Sequence, residues 1–150
     1  MSDFRERLRP SAWLHVIALL AVPASMLMLA PVSVLVGTVV GLVLSGGLIA
    51  LFWGLAPVIE VTEGSLRAGR ARIPLTLLGT VDPLAREDAR HARGPGLDAR
   101  AWLLVRGDID SVVRIEVVDK DDPAPYWLVS TRRPEELALA ITSARAAAGA

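Results

Sequence analysis

Between Pro10 and Ile59 the chain carries no Asp, Glu, Lys or Arg. A helix that crosses a bilayer needs roughly 20 apolar residues, rising 1.5 Å each across a core of about 30 Å. The uncharged stretch covers 50 residues, too many for one span and suited to two with a short link. Pro31 and Ser33 punctuate its middle, so the expected spans are residues 12–30 and 33–56. The link between them is so short that the two helices must form an antiparallel hairpin. Arg5, Arg7 and Arg9 resemble the basic start of a signal peptide. The apolar stretch outruns the 7–15 residues of such a segment, however, and a second span follows at once.

The remainder is ordinary in charge. The full chain of 150 residues has 16 Lys+Arg and 16 Asp+Glu, a net charge of zero, and no cysteine. Without cysteine there is no disulfide framework and no thiolate metal site. Without a basic excess there is no basis for nucleic-acid binding. Three segments follow: an N-terminal segment 1–11, a transmembrane hairpin 12–56, and a soluble domain 57–150.

Arginine placement sets the expected orientation. Arg5, Arg7 and Arg9 precede the first span, Arg67, Arg70 and Arg72 follow the second, and the link is uncharged. Positive flanks favour the cytoplasmic side. The expectation is a multi-pass protein of the inner (plasma) membrane with both termini and the soluble domain in the cytoplasm. Trp13 and Trp53 fall where an interfacial aromatic belt belongs.

The second span carries small residues at four-residue spacing: Gly37, Gly41 and Ser45 on one stripe, Gly46, Ala50 and Gly54 on another. Small residues let helix backbones approach closely in lipid. The stripes serve either packing against the first span or homo-oligomerisation. Pro23 is expected to kink the first span. His15 is the one ionisable side chain in the run and sits in the first turn, near the headgroups.

In the soluble domain, β-branched and aromatic runs mark strands near residues 58–62, 75–81, 101–106, 111–118 and 126–130. Residues 65–69 and 71–74 form a hairpin, and Gly79 marks a bulge. A long polar connection spans 85–98, with a helical turn around 86–91. Pro134, Glu135 and Glu136 open a last helix whose apolar face is Leu137, Ile141 and Ala144. The fold class is therefore a membrane α-helical hairpin plus an α+β soluble domain. About seven strands closed by one amphipathic helix is the order of a pleckstrin-homology-like bent antiparallel sheet or open barrel, an analogy at the level of fold.

Further strings carry a family resemblance: Arg67-Ala68-Gly69-Arg70-Ala71-Arg72-Ile73-Pro74-Leu75, Gly94-Pro95-Gly96-Leu97-Asp98-Ala99-Arg100-Ala101, and Tyr126-Trp127-Leu128-Val129-Ser130-Thr131-Arg132-Arg133-Pro134. With two N-terminal spans they resemble an actinobacterial family of small membrane proteins of unknown function. The strong preference for Arg over Lys, Lys120 being the single lysine, fits that source. The resemblance implies an inner-membrane protein with a cytoplasmic β-domain and brings no activity or catalytic residues with it.

Catalytic constellations are not legible. A nucleophile needs a base and an orienting group, and His91 lies in a polar connection without a nucleophile elbow. Asp119, Asp121 and Asp122 lack the glycine and distal glutamate of a calcium loop and read as turn residues. No catalytic residue, metal site or cofactor is expected. Two basic groups are candidates for binding. Ser130, Thr131, Arg132 and Arg133 precede the last helix, where hydroxyls, guanidinium groups and free N–H groups converge on an anion, unless they serve as an ordinary helix cap. Arg67, Arg70 and Arg72 lie close to the membrane, where each basic residue is attracted to anionic lipid. The expected role is non-enzymatic: an interaction or scaffold domain held at the membrane. Its expected partners are the lipid bilayer, a cytoplasmic protein and a second copy of the chain.

Overall fold

The computed structural model describes residues 2–148, with side chains described from Phe4 onward. Residues 1, 149 and 150 of the segments 1–11 and 57–150 lie outside the described residues. The chain forms two compact units. One is built from the chain on both sides of the apolar run, up to Leu8 and again from Pro57; the other runs from Arg9 to Ala56.

The second unit is a helical hairpin of α1 (Ala12–Leu29) and α2 (Val34–Gly54). Both helices are long and apolar enough to cross a membrane. Serines start them: Ser11 accepts from the Trp13 N–H and Ser33 from the Val36 N–H, satisfying donors that have no partner within the helix. The seam is the first small-residue stripe. Gly37, Gly41 and Ser45 are buried. A Cβ added at Gly37 would stand 2.8 Å from the Ser25 carbonyl oxygen, and one at Gly41 2.7 Å from the Val22 Cα. The second stripe corrects the sequence expectation as a packing surface within this chain. Gly46, Ala50 and Gly54 are exposed, and a Cβ at Gly46 or Gly54 would meet nothing within 4 Å.

The first unit holds two four-stranded sheets. β1 (Ser2–Arg7), β2 (Val58–Thr62), β3 (Ser65–Ala68) and β4 (Ala71–Pro74) form one, in that order and antiparallel throughout. β5 (Leu78–Leu84), β6 (Trp102–Leu104), β7 (Val112–Val117) and β8 (Tyr126–Ser130) form the other, in the order β5-β7-β8-β6. Two α-helices complete the unit, α3 (Arg86–Arg93) and α4 (Pro134–Ala148), and Leu75–Leu77 form a short 3-10 turn where the strand 75–81 was expected to begin.

Three expectations are corrected here. Residues 1–11 are not a separate segment, because β1 is an edge strand of the first sheet. Phe4, Glu6 and Leu8 point inward and Arg5 and Arg7 outward, the two-residue period of a strand. The described strands number eight rather than about seven, in two sheets. One pair, β6 with β8, is parallel, so the assembly is not wholly antiparallel. In addition, β5 runs on through Asp82 and Pro83 to Leu84, past residue 81 where the strand was expected to end. Pro83 pairs opposite Val113, and β5 is an edge strand, where a residue without an N–H is tolerated. The register shift between Leu78 and Val81 places an irregularity at Gly79, as expected.

The main core lies between the two sheets and α4. Ile59, Val61, Leu66 and Ile73 from the first sheet meet Val113, Ile115, Trp127 and Val129 from the second, with Leu137, Ile141 and Ala144 of α4. Burying one such large aliphatic side chain contributes about 1.5–3 kcal/mol. A smaller cluster fills the other face of the second sheet, where Ala89 of α3 covers Val112, Tyr126 and Leu128. Every residue of β8 is consequently buried, including both Tyr126 and Trp127. Trp102 stacks on Trp127 with ring centroids 4.4 Å apart.

Candidate functional site

The corner between β8 and α4 gathers the polar residues singled out in the sequence. Ser130 ends the strand and Pro134 begins the helix, so Thr131, Arg132 and Arg133 form the joint. Ser130 and Thr131 are fully buried. The Ser130 hydroxyl accepts from the Arg106 N–H at 3.0 Å. The Thr131 hydroxyl donates to the Glu6 carboxylate and accepts from the Arg133 N–H at 3.1 Å. The other Glu6 oxygen accepts from the Arg132 N–H at 3.1 Å. Ser111, just before β7, closes the joint, its hydroxyl donating to the Thr131 carbonyl at 2.6 Å.

The joint therefore does collect an anion, as the sequence pattern suggests, but the anion is the chain's own Glu6. This corrects the expectation of an open ligand site at Ser130, Thr131, Arg132 and Arg133. The two hydroxyls are engaged and the backbone donor of Arg132 is satisfied. The guanidinium groups are also engaged. Arg133 donates to Glu136 at 3.0 Å and to the Arg5 carbonyl at 3.1 Å, and lies over the Phe4 ring. Arg132 approaches Asp108 at 3.6 Å, where Arg106 already sits at 3.0 Å. Sequence inspection had no means of finding Glu6, because a partner 125 residues away leaves no local signal.

A second polar surface lies on the outer face of β5, β7 and β8. A cleft of about 390 Å³ is lined by Thr80, Asp82, Arg114, Glu116, Pro125 and Tyr126. The Arg114 guanidinium lies 4.2 Å above the Tyr126 ring. Glu116 reaches across to β5 and accepts from the Thr80 N–H at 3.0 Å and its hydroxyl at 2.9 Å. These two donors hold its carboxyl below the ordinary range, the backbone N–H contributing most. Nearby, Asp98 is lowered by its bonds from the Arg100 side chain and N–H. The Asp98 N–H donates to the Tyr126 hydroxyl at 2.8 Å.

Arg67, Arg70 and Arg72 are exposed on the β3–β4 hairpin. Gly69 makes the turn at φ +61°, a left-handed conformation that suits glycine. Elsewhere, Asp119 and Asp122 accept N–H groups two residues ahead, from Asp121 and Ala124, which is turn chemistry. His91 is exposed on α3. His15 lies in the helical unit and bonds to Ser11 and Trp53. Among the described residues, no three His, Asp or Glu side chains converge as metal ligands.

No curated protein and no solved structure matches the chain. A family described as "Protein of unknown function (DUF3093)" matches residues 3–141, taking in both apolar helices, all the strands from β2 to β8 and half of α4. The chain belongs to this family of proteins of unknown function, DUF3093.

Proposed function

We propose that this protein is a non-catalytic membrane-anchored module. It presents a pleckstrin-homology-like α+β domain at the cytoplasmic face of the inner membrane as an interaction or scaffold surface. The observation that carries this reading is the closure at the foot of the hairpin. The Leu8 N–H donates to the Pro57 carbonyl at 3.0 Å, and Arg7 pairs with Val58 in the β1–β2 ladder. The chain thus leaves the sheet and returns to it at one place. Two spans between these points leave the chain before Leu8 and the chain after Pro57 on the same side of a membrane, as their pairing in one sheet requires. The arginines at the two feet and the uncharged link favour the cytoplasm as that side.

The non-catalytic part rests on how the polar groups are used. The Thr131 hydroxyl is bonded to Glu6 and the Ser130 hydroxyl to the Arg106 N–H, and the turn aspartates bond their own backbone. For a surface that meets a partner, Leu103 in the edge strand β6 and Val105 just after it are 45% and 40% exposed.

Single cysteines in this cysteine-free chain test the anchoring. With a membrane-impermeant thiol reagent on intact spheroplasts, Val32→Cys in the link should label and Ser143→Cys on α4 should not. Labelling at Ser143 overturns the orientation. The interaction role is tested by a photocrosslinking residue at Leu103 or Val105 in cells. A discrete adduct larger than the 16.0 kDa chain is expected; monomer alone from both positions counts against it.

A further inference from the structure

The outward face of the first sheet carries a row of charge fixed by strand register. Arg5 stands opposite Glu60, Glu60 opposite Arg67, and Arg67 opposite Arg72. Three arginines and one carboxylate thus lie in line across four strands about 4.8 Å apart. Like charges directly opposite one another in a sheet repel, and Arg67 and Arg72 are such a pair, both exposed. The row lies near one end of the sheet. The Gly69 N–H bonds the Val58 carbonyl at 2.8 Å, which sets the β3–β4 turn level with the start of β2. Arg7 pairs with Val58 at the same level, and Arg70 sits in the turn itself. Arg67 is bent toward that turn, its Nε donating to the Gly69 carbonyl at 3.2 Å. This is the end from which the chain departs after Leu8 and to which it returns at Pro57. Only Leu55, Ala56 and Pro57 separate the last residue of α2 from β2, a reach of about 14 Å at most.

We propose that this arginine face of the first sheet docks on the phosphate groups of an anionic leaflet, that of the membrane holding the hairpin. The inference rests on the anchoring reading above and deepens it by naming the surface and its partner. Arg5 and Arg7 belong to the face together with Arg67, Arg70 and Arg72, because β1 is a strand of the sheet. A phospholipid headgroup supplies counter-charge to Arg67 and Arg72 and relieves their repulsion. Neutralising two of the five arginines should weaken anionic-lipid binding by about tenfold or more, given the attraction expected per basic residue.

The test uses the full chain in non-ionic micelles, titrated with phosphatidylglycerol or phosphatidylcholine and read by native mass spectrometry. The parent should bind phosphatidylglycerol about tenfold better. Arg67→Gln with Arg72→Gln should lose that preference at an unchanged melting temperature, whereas Arg90→Gln on α3 should keep it. Equal binding of the two lipids by the parent, or a preference that survives the double variant, overturns the proposal. Displacement of the lipid by low-millimolar inorganic phosphate overturns the leaflet as the occupant. Thiol labelling at Val32 reads insertion separately: a chain that inserts without lipid preference loses this inference and keeps the anchor.

Discussion

Glu6 accepts the Thr131 hydroxyl across 125 residues of sequence, and the same carboxylate accepts the Arg132 N–H at 3.1 Å. This contact ties the chain before the hairpin to the joint before the last helix. Glu6 is 8% exposed and Thr131 fully buried, so loss of either leaves the other without its partner in a dry site. Removing one partner of a buried hydrogen bond costs about 1–3 kcal/mol. Glu6→Ala is therefore expected to lower the melting temperature by several degrees, with Thr131→Val close behind. The pair should be non-additive in a double-mutant cycle. Additive losses would mean that the two side chains act separately.

Glu116 gives a pH-dependent signature. Its carboxyl is held low by the Thr80 N–H and hydroxyl. A depressed folded-state value means that the contact stabilises above the ordinary carboxylate range. That contribution is lost as pH falls through the lowered value. The side-chain carboxyl of Glu116, followed by carbon NMR, should therefore titrate below an exposed glutamate. Gly79 is the control: a Cβ there would stand 2.5 Å from the Glu116 Oε2. Gly79→Ala should push the carboxylate off Thr80 and return its titration to the ordinary range. An unchanged titration would show that Thr80 does not hold it.

How far the sequence discloses this architecture depends on how local each cause is. The hairpin is legible because the absence of charge from Pro10 to Ile59 leaves few alternatives. Strands β2 and β8 are legible because Val58–Thr62 and Tyr126–Ser130 are dense in β-branched and aromatic residues. β1 is hidden for a physical reason. Its inward positions are Phe4, Glu6 and Leu8, and the glutamate breaks the apolar alternation, while Arg5 and Arg7 imitate a membrane flank. The two-sided burial of β8 is hidden as well, since it depends on α3 folding over Tyr126 and Leu128. At the candidate site, the convergence of donors on an anion is readable from Ser130 to Arg133. The identity of that anion is decided by tertiary pairing with β1, which no local pattern encodes.

The two small-residue stripes of α2 should respond in opposite ways. A Cβ at Gly41 meets the Val22 backbone at 2.7 Å, which cannot move aside as a side-chain tip would. Gly41→Ile is expected to cost about 1–3 kcal/mol through overpacking and to splay the hairpin. Gly46→Ile meets nothing within 4 Å in the same chain and should leave the melting temperature of the monomer unchanged. If the second stripe joins two copies, Gly46→Ile will also abolish the crosslinked dimer in membranes. A dimer that survives it assigns that face to lipid.

His15 and Trp53 supply a test of the hairpin's open end. The Trp53 indole N–H lies 3.1 Å from His15 Nε2, and His15 Nδ1 lies 3.1 Å from the Ser11 carbonyl. An indole nitrogen only donates, so His15 Nε2 must be the acceptor, and the imidazole proton must reside on Nδ1. The Arg9 guanidinium lies 5.8 Å from the centre of the Trp53 ring, and no other charged residue belongs to the hairpin unit. Nitrogen NMR of the full chain in micelles should show the His15 proton on Nδ1, the less common tautomer in water. Trp53→Phe removes the donor and should shift the population toward Nε2–H, with a loss of about 0.6–1 kcal/mol in hairpin stability. Finding Nε2 protonated in the parent chain would exclude the Trp53 bond and separate the two helix ends.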